Sequence, residues 1–182
     1  MSATATSLPT GTWNVDSTHS RVGFRVKHLG ISTVRGEFGT YEGQLVVADD
    51  GTVTASGKVD VSSIDTSDAD RDTHLKAPDF FDAESYPEIT FESTSITAED
   101  EDTYEITGDL TMHGVTKPIT LTAEAGGSEV DPFGNTRIGF EVTGEISRSD
   151  YGMKFNMALG SGNLAVSDKV KLDLDISAVK AS

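Results

Sequence analysis

The sequence SRVGFRVKHL at residues 20–29 decides the fold class of this chain. Val22, Phe24 and Val26, followed in the same phase by His28, alternate with charged or small residues. A period of two residues is typical of a β-strand with one buried face. We therefore predict a half-buried strand here.

The same alternation recurs in seven further segments. One of them, residues 34–47, contains Gly39 and Gly43, which indicate a bend within a single long strand. The other six cover residues 53–62, 89–91, 104–112, 119–125, 138–146 and 170–176. Strands with one apolar face can form a sandwich or a closed barrel, and closure also removes exposed strand edges. The sequence thus predicts an all-β fold, an eight-stranded antiparallel barrel.

One segment does not fit strands and tight turns, and it lies between the predicted strands 3 and 4. Ser67 and Asp70 have the spacing of a capping box, and the proline that follows would end a helix. We predict one short inserted α-helix over residues 68–76. Phe80 and Phe81 come next on an irregular turn, where at least one ring must be covered or lie at an opening.

The composition predicts a single domain over residues 11–182, preceded by a flexible tail at residues 1–10. The net charge of −16 repels nucleic-acid phosphates and anionic lipid headgroups, so we expect neither a nucleic-acid partner nor peripheral membrane binding. No apolar run is long enough for stable membrane insertion. The N-terminus lacks the basic and apolar regions of a secretory signal, which predicts a cytoplasmic location unless a signal has been removed.

Four glycines lie in the apolar phase of their strands: Gly36, Gly57, Gly108 and Gly144. Together they favour a hollow barrel, although each one alone is equally consistent with relief of crowding in a filled barrel. The predicted cavity-lining residues are Val22, Phe24, Val26, Phe38, Val59, Phe91, Ile106, Gly108, Leu110, Met112, Leu121, Phe140, Val142, Gly144, Leu172 and Leu174.

A polar mouth is predicted where the helix meets the last long loop. Scattered surface cations are the alternative for each charged member. The predicted mouth residues are Arg71, His74, Phe80, Phe81, Arg148 and Lys154.

The sequence offers no catalytic or metal-binding pattern. It contains no Gly-x-Ser-x-Gly elbow, no distinct carboxylate pair, and no histidine spacing that suits a metal. The spacing of Asp68, Asp70 and Asp72 partly matches a calcium loop, but the first turn of a helix explains it better. We expect no enzyme activity, no metal and no cofactor.

Four separated blocks resemble the YceI-like family of bacterial proteins. These blocks are WNVDSTHS at 13–20; RDTHLK at 71–76 with DFFD at 79–82; GDLTMHGVTK at 108–117; and DPFG at 131–134 with SRSDYGM at 147–153. The resemblance implies a lipocalin-like barrel whose apolar pore binds a long amphiphile, such as a polyisoprenoid or a fatty-acid derivative.

The expected function is therefore non-enzymatic binding, transport or storage of such a lipid. Two alternatives stay open: a structural or stress-response protein whose filled barrel acts through a protein partner, and an isoprenoid-modifying enzyme. The expected partner is an amphiphilic lipid, and a homodimer is an open option for the oligomeric state.

Overall fold

The computed structural model describes residues 8–157, 159–161 and 165–181. Most of the predicted flexible tail, residues 1–7, therefore lies outside the described residues. Leu8 already borders the interior of the barrel, and the carbonyl oxygen of Pro9 accepts a hydrogen bond of 3.1 Å from Trp13 Nε1. The packed part of the domain thus begins slightly before residue 11.

The described chain consists almost entirely of antiparallel strands, with one helix and two 3-10 turns. The strand segments are β1 (Gly11–Val15), β2 (Arg21–His28), β3 (Ser32–Phe38), β4 (Tyr41–Val47), β5 (Val53–Asp60), β6 (Ile64–Asp65), β7 (Glu88–Ala98), β8 (Thr103–Met112), β9 (Val115–Val130), β10 (Thr136–Ser147) and β11 (Val166–Lys180). The helix is α1 (Ala69–Lys76), and the 3-10 turns are Val61–Ser63 and Arg148–Tyr151.

These segments close into a ring of eight strand positions. β1 and β2 both pair with β11, so together they occupy one position, and they pair on their other side with β4 and β3 respectively. β3 and β4 are the two halves of the long bent strand that the sequence predicts, interrupted at Gly39 and Thr40. β5, β7, β8, β9, β10 and β11 complete the ring, which confirms the eight-stranded antiparallel barrel.

The helix α1 lies between β5 and β7, the third and fourth positions of the ring, as predicted. Its N-cap, however, is Asp68, whose side chain accepts a hydrogen bond from the backbone N–H of Arg71 at 3.1 Å. Ser67 has a φ of 66° and precedes the cap, so the predicted capping role of Ser67 is wrong. Asp72 also accepts hydrogen bonds from the backbone and hydroxyl of Thr66, which ties the helix to the preceding strand.

The two ends of the barrel are covered differently. At the Trp13 end, the indole of Trp13 is 0% exposed and packs with Val47, Ile138 and Ala178. At the opposite end, which we call the helix end, α1 and the Arg148–Tyr151 turn lie over the strand ends. His28 also lies at the helix end, where it is exposed although it follows the apolar phase of β2.

Candidate functional site

A cavity of about 340 Å³ lies inside the barrel. Apolar side chains of the alternating strands point into it from every position of the ring, because successive residues of a strand face opposite sides of the sheet. The predicted lining residues that border it are Val22, Phe24, Val26, Phe38, Val59, Phe91, Ile106, Leu110, Met112, Leu121, Phe140, Val142, Leu172 and Leu174.

Gly108 and Gly144 do not border the cavity, which corrects the prediction that they leave it space. A Cβ atom on Gly108 would collide with the ring of Phe91, and one on Gly144 would collide with Leu121. The space left by these two glycines is therefore filled by neighbouring side chains. Their role is to relieve crowding in the wall, which is the alternative that the sequence leaves open.

Gly57 is the inward glycine that leaves space. It borders the cavity and lies opposite Gly43 on β4, so neither residue projects a side chain there. A Cβ atom on Gly57 would approach no atom more closely than 3.5 Å, the distance to the carbonyl oxygen of Glu42. The open space lies at Gly57, because Val15 already fills the position that a side chain on Gly43 would take.

Several lining residues lie outside the predicted set. Some continue the same strand phases and could have been found from the alternation: Val53, Ala55, Gly57, Ile89, Ile119, Ala123, Ile146, Val170 and Ile176. Others lie outside the alternating patterns used for the prediction, namely Leu8, Leu75, Met153 and Val166. This second group carries no period-two signal, and only the folded chain brings its members to the cavity.

Arg148 is the buried cation of the cavity wall, and backbone carbonyl groups surround it. Its Nε donates to the carbonyl oxygen of Ser167 at 2.9 Å. Its Nη1 donates to the carbonyl oxygens of Met153 and Phe155, both at 2.9 Å, and its Nη2 donates to that of Val166 at 3.2 Å. The guanidinium thus links two chain segments that have no regular pairing with each other.

The surroundings of Arg148 determine its charge state and its role. The residue is 5% exposed, and it forms no ion pair in the part of the chain that the structure describes. Burial lowers the pKa of the guanidinium from its ordinary value, and the charge of Asp168 opposes that shift. Arginine stays protonated under these conditions, so a positive charge is held in an otherwise apolar wall.

The other predicted mouth cations lie away from the cavity. Arg71 is exposed and donates to the hydroxyl and carbonyl oxygens of Thr66 at 2.8 and 2.6 Å. Lys154 is exposed, and His74 Nε2 lies 3.0 Å from a carboxylate oxygen of Asp79. None of the three borders the cavity, so the predicted polar mouth is reduced to Arg148.

Phe80 and Phe81 both border the cavity but have different neighbours. The ring of Phe80 makes edge contacts with His74 and Phe155, at centroid distances of 5.1 and 5.3 Å. The ring of Phe81 packs edge-on against Phe38 of β3 at 6.0 Å. Phe80 therefore packs against α1 and the loop of Phe155 and covers the helix end, whereas Phe81 packs against a strand residue of the core.

This difference predicts different effects of truncation. We expect Phe80→Ala to accelerate release of a bound fluorescent fatty acid severalfold, because the cover at the helix end is removed. Phe81→Ala is the matched control, and we expect it mainly to lower the melting temperature, since it opens a void beside the core. Stopped-flow release and calorimetry measure both effects. Equal release rates in the two variants would contradict a covering role for Phe80.

His19, His74 and His113 each have a different partner rather than a shared one. Besides the His74–Asp79 contact, His113 Nδ1 lies 2.8 Å from the carbonyl oxygen of Tyr151. Within residues 8–157, 159–161 and 165–181, no three His, Asp or Glu side chains form a set that could hold a metal ion. In the same ranges, no helix has the length and apolar composition needed to cross a bilayer.

A closed antiparallel barrel around an apolar cavity defines a class of hollow β-barrel proteins. The chain belongs to the YceI-like family, because the family model described as YceI-like domain matches residues 13–178. Protein YceI of Escherichia coli O157:H7 is 42% identical over 147 residues, which cover 79% of this chain and 75% of that protein.

Solved structures share the fold. The Campylobacter jejuni YCEI protein superposes with a TM-score of 0.74 at 33% identity, covering 92% of this chain and 96% of that one. A polyisoprenoid-binding domain from Saccharophagus degradans superposes with a TM-score of 0.69 at 17% identity, covering 93% and 98% of the two chains. These similarities confirm the predicted family and barrel.

Proposed function

We propose that the barrel binds one long-chain amphiphile, a polyisoprenoid or a fatty-acid derivative, and carries or stores it unchanged. The observation that carries the proposal is the apolar cavity of about 340 Å³ inside a closed barrel. This volume falls within the range of small-molecule sites, about 300–1,000 Å³. The ligand class is supported by the shared fold of the Saccharophagus degradans domain, which is described as polyisoprenoid-binding.

Apolar contact alone can provide useful affinity. Burial of one methylene contributes about 0.8 kcal/mol, so ten methylenes contribute about 8 kcal/mol before the cost of ordering the ligand. An affinity near micromolar is therefore reachable without any specific headgroup contact. The ligand chain would lie along the barrel axis, where the inward side chains of all eight positions can contact it.

The lining argues for binding rather than conversion of the ligand. Lys58 and Glu42 are outward residues of their strands and pair with each other on the exposed face at 3.4 Å, and the Arg148 guanidinium is engaged by carbonyl groups. Acid–base catalysis needs a group positioned to exchange a proton with the substrate. Because these charged groups are already paired, the proposed role is that of a carrier or store.

Two measurements test the carrier role. We expect denaturing mass spectrometry of the purified protein to release a lipid with a chain of about ten carbons or more. We also expect a fluorescent fatty acid to bind and to be displaced by an unlabelled isoprenoid. Absence of a released lipid together with exclusion of the fluorescent probe would contradict the proposal, and would favour a barrel that acts through a protein partner.

A further inference from the structure

The outer face of β2, β3 and β11 carries basic side chains in register. Arg25 of β2 lies directly opposite Arg35 of β3 on one side and Lys171 of β11 on the other. Their sequence neighbours Phe24, Val26 and Leu172 border the cavity. Because side chains alternate along a strand, these three cations project outward in one row.

A second row of cations adjoins the first at the helix end. Val26 of β2 and Val170 of β11 are paired in register. Lys27 follows Val26 and Lys169 precedes Val170, so both lysines lie on the helix-end side of the first row. Lys27, Lys169, Arg35 and Lys171 are exposed, and Arg25 is half-buried. We call these five residues the basic face.

The basic face has few internal partners. Among the residues that the structure describes, none of its five cations forms an ion pair, and the buried Arg25 Nε has no hydrogen-bond partner. Glu145, opposite Lys171 on β10, borders the face. Like charges directly opposite one another destabilise a sheet, so folding alone gives no reason for this row.

The basic face is a local feature of an acidic protein. It holds five of the 14 Lys and Arg residues in a chain whose net charge is −16. The next outward row toward the middle of the barrel is acidic, with Glu37 and Asp173 flanking Gly23. Both basic rows lie nearer the helix end than this acidic row, so a bilayer that meets the helix end is closest to the basic face. Acidic charges more than about 8–10 Å away are largely screened at physiological salt, which limits the repulsion that the net charge predicts.

Exposed apolar side chains lie beside the basic face. Ile31, at the tip of the hairpin between β2 and β3, is 79% exposed, and Met157 is 61% exposed. Ala165 connects the segment of Met157 to this hairpin. Its N–H donates to the carbonyl oxygen of Met157 at 3.0 Å, and its carbonyl oxygen accepts from the N–H of Leu29 at 2.9 Å. Apolar tips and cations therefore occupy the same end of the barrel.

We infer that the basic face and Ile31 dock the helix end of the barrel onto an anionic lipid bilayer. Cations that meet headgroup phosphates while an apolar tip enters the layer beneath match the layered chemistry of a membrane surface. A purely charged partner surface would match the cations but not the exposed isoleucine beside them. The docking is peripheral, and it does not depend on what the cavity holds.

Sedimentation with lipid vesicles tests this docking. We expect the protein to bind vesicles of phosphatidylglycerol mixed with phosphatidylcholine, to bind pure phosphatidylcholine vesicles much less, and to lose binding as salt is raised. Each cation near an anionic surface contributes about fivefold to partitioning. Lys169→Gln/Lys171→Gln is thus expected to weaken binding about 25-fold. Loss of the apolar tip in Ile31→Ser is expected to weaken it about tenfold.

The matched control is Lys117→Gln/Lys180→Gln, which makes the same change in net charge at exposed positions on β9 and β11, outside the basic face. We expect it to retain binding, and Arg35→Gln repeats the test if the double variant at 169 and 171 unfolds. An equal loss in the control, or no binding of the unaltered protein to anionic vesicles at low salt, would overturn the inference. The second outcome would leave an acidic protein as the partner of the basic face. Fatty-acid titration of the same variants reports separately on the cavity.

Discussion

Replacement of Arg148 by methionine is expected to lower the free energy of unfolding by about 3 kcal/mol. The guanidinium donates to four backbone carbonyl oxygens, belonging to Met153, Phe155, Val166 and Ser167. Methionine fills similar space but donates no hydrogen bond, so these carbonyl groups lose their partner in a largely buried setting. Urea denaturation followed by fluorescence measures the loss.

Two further variants separate the causes of that loss. Arg148→Lys keeps the positive charge, but an ammonium group cannot match the planar fork of the guanidinium, so we expect an intermediate loss. Arg71→Met removes an exposed arginine that also bonds to backbone, and we expect a small effect. If Arg148→Met is as stable as the unaltered protein, water reaches the four carbonyl groups and the guanidinium does not stabilise the fold.

A leucine at Gly57 is expected to weaken ligand binding at least tenfold while leaving the melting temperature nearly unchanged. A Cβ atom at this position is clear of other atoms, and φ is not positive there, so the side chain enters the cavity without strain. It would occupy volume that the ligand needs. Calorimetric melting and titration with a fluorescent fatty acid measure the two effects separately.

Gly108→Leu is the matched comparison, and the opposite pattern is expected. Its side chain would overlap the ring of Phe91 and would begin 2.5 Å from the carbonyl oxygen of Glu92. Overpacking of this kind costs about 1–3 kcal/mol, so the melting temperature falls while the folded fraction still binds ligand. If Gly57→Leu binds ligand normally and Gly108→Leu abolishes binding at full stability, the ligand lies beside Gly108 and not beside Gly57.

The ring of strands was predictable because its signal is local. Alternation along residues 20–29 and its seven repeats reports which face of each strand is apolar, and closure follows from the need to bury that face. The helix was predictable to within one residue, but its cap was not. Ser67 and Asp68 are both good caps, and the turn that places Asp68 nearest the Arg71 N–H depends on the left-handed conformation of Ser67.

The cavity was less predictable, because alternation gives the direction of a side chain but not the space around it. Gly57 and Gly108 both lie in the apolar phase and both adjoin Phe91, yet its ring lies over Gly108 and leaves the space at Gly57 open. The burial of Arg148 likewise depends on carbonyl groups from residues up to 19 positions away. The basic face was not predictable, because its five cations are separated in sequence and are brought together by strand register.

The pairing of β1 with β11 also constrains how the protein can be made. Trp13 lies opposite Lys180, so the contact that completes the wall joins residues from the first and last strand segments. Contacts this distant along a chain form slowly, because a long loop must be closed before they contribute. During synthesis the wall cannot be completed until the residues of β11 have been made. The apolar interior is therefore enclosed only after β11 has been synthesised and has paired with β1.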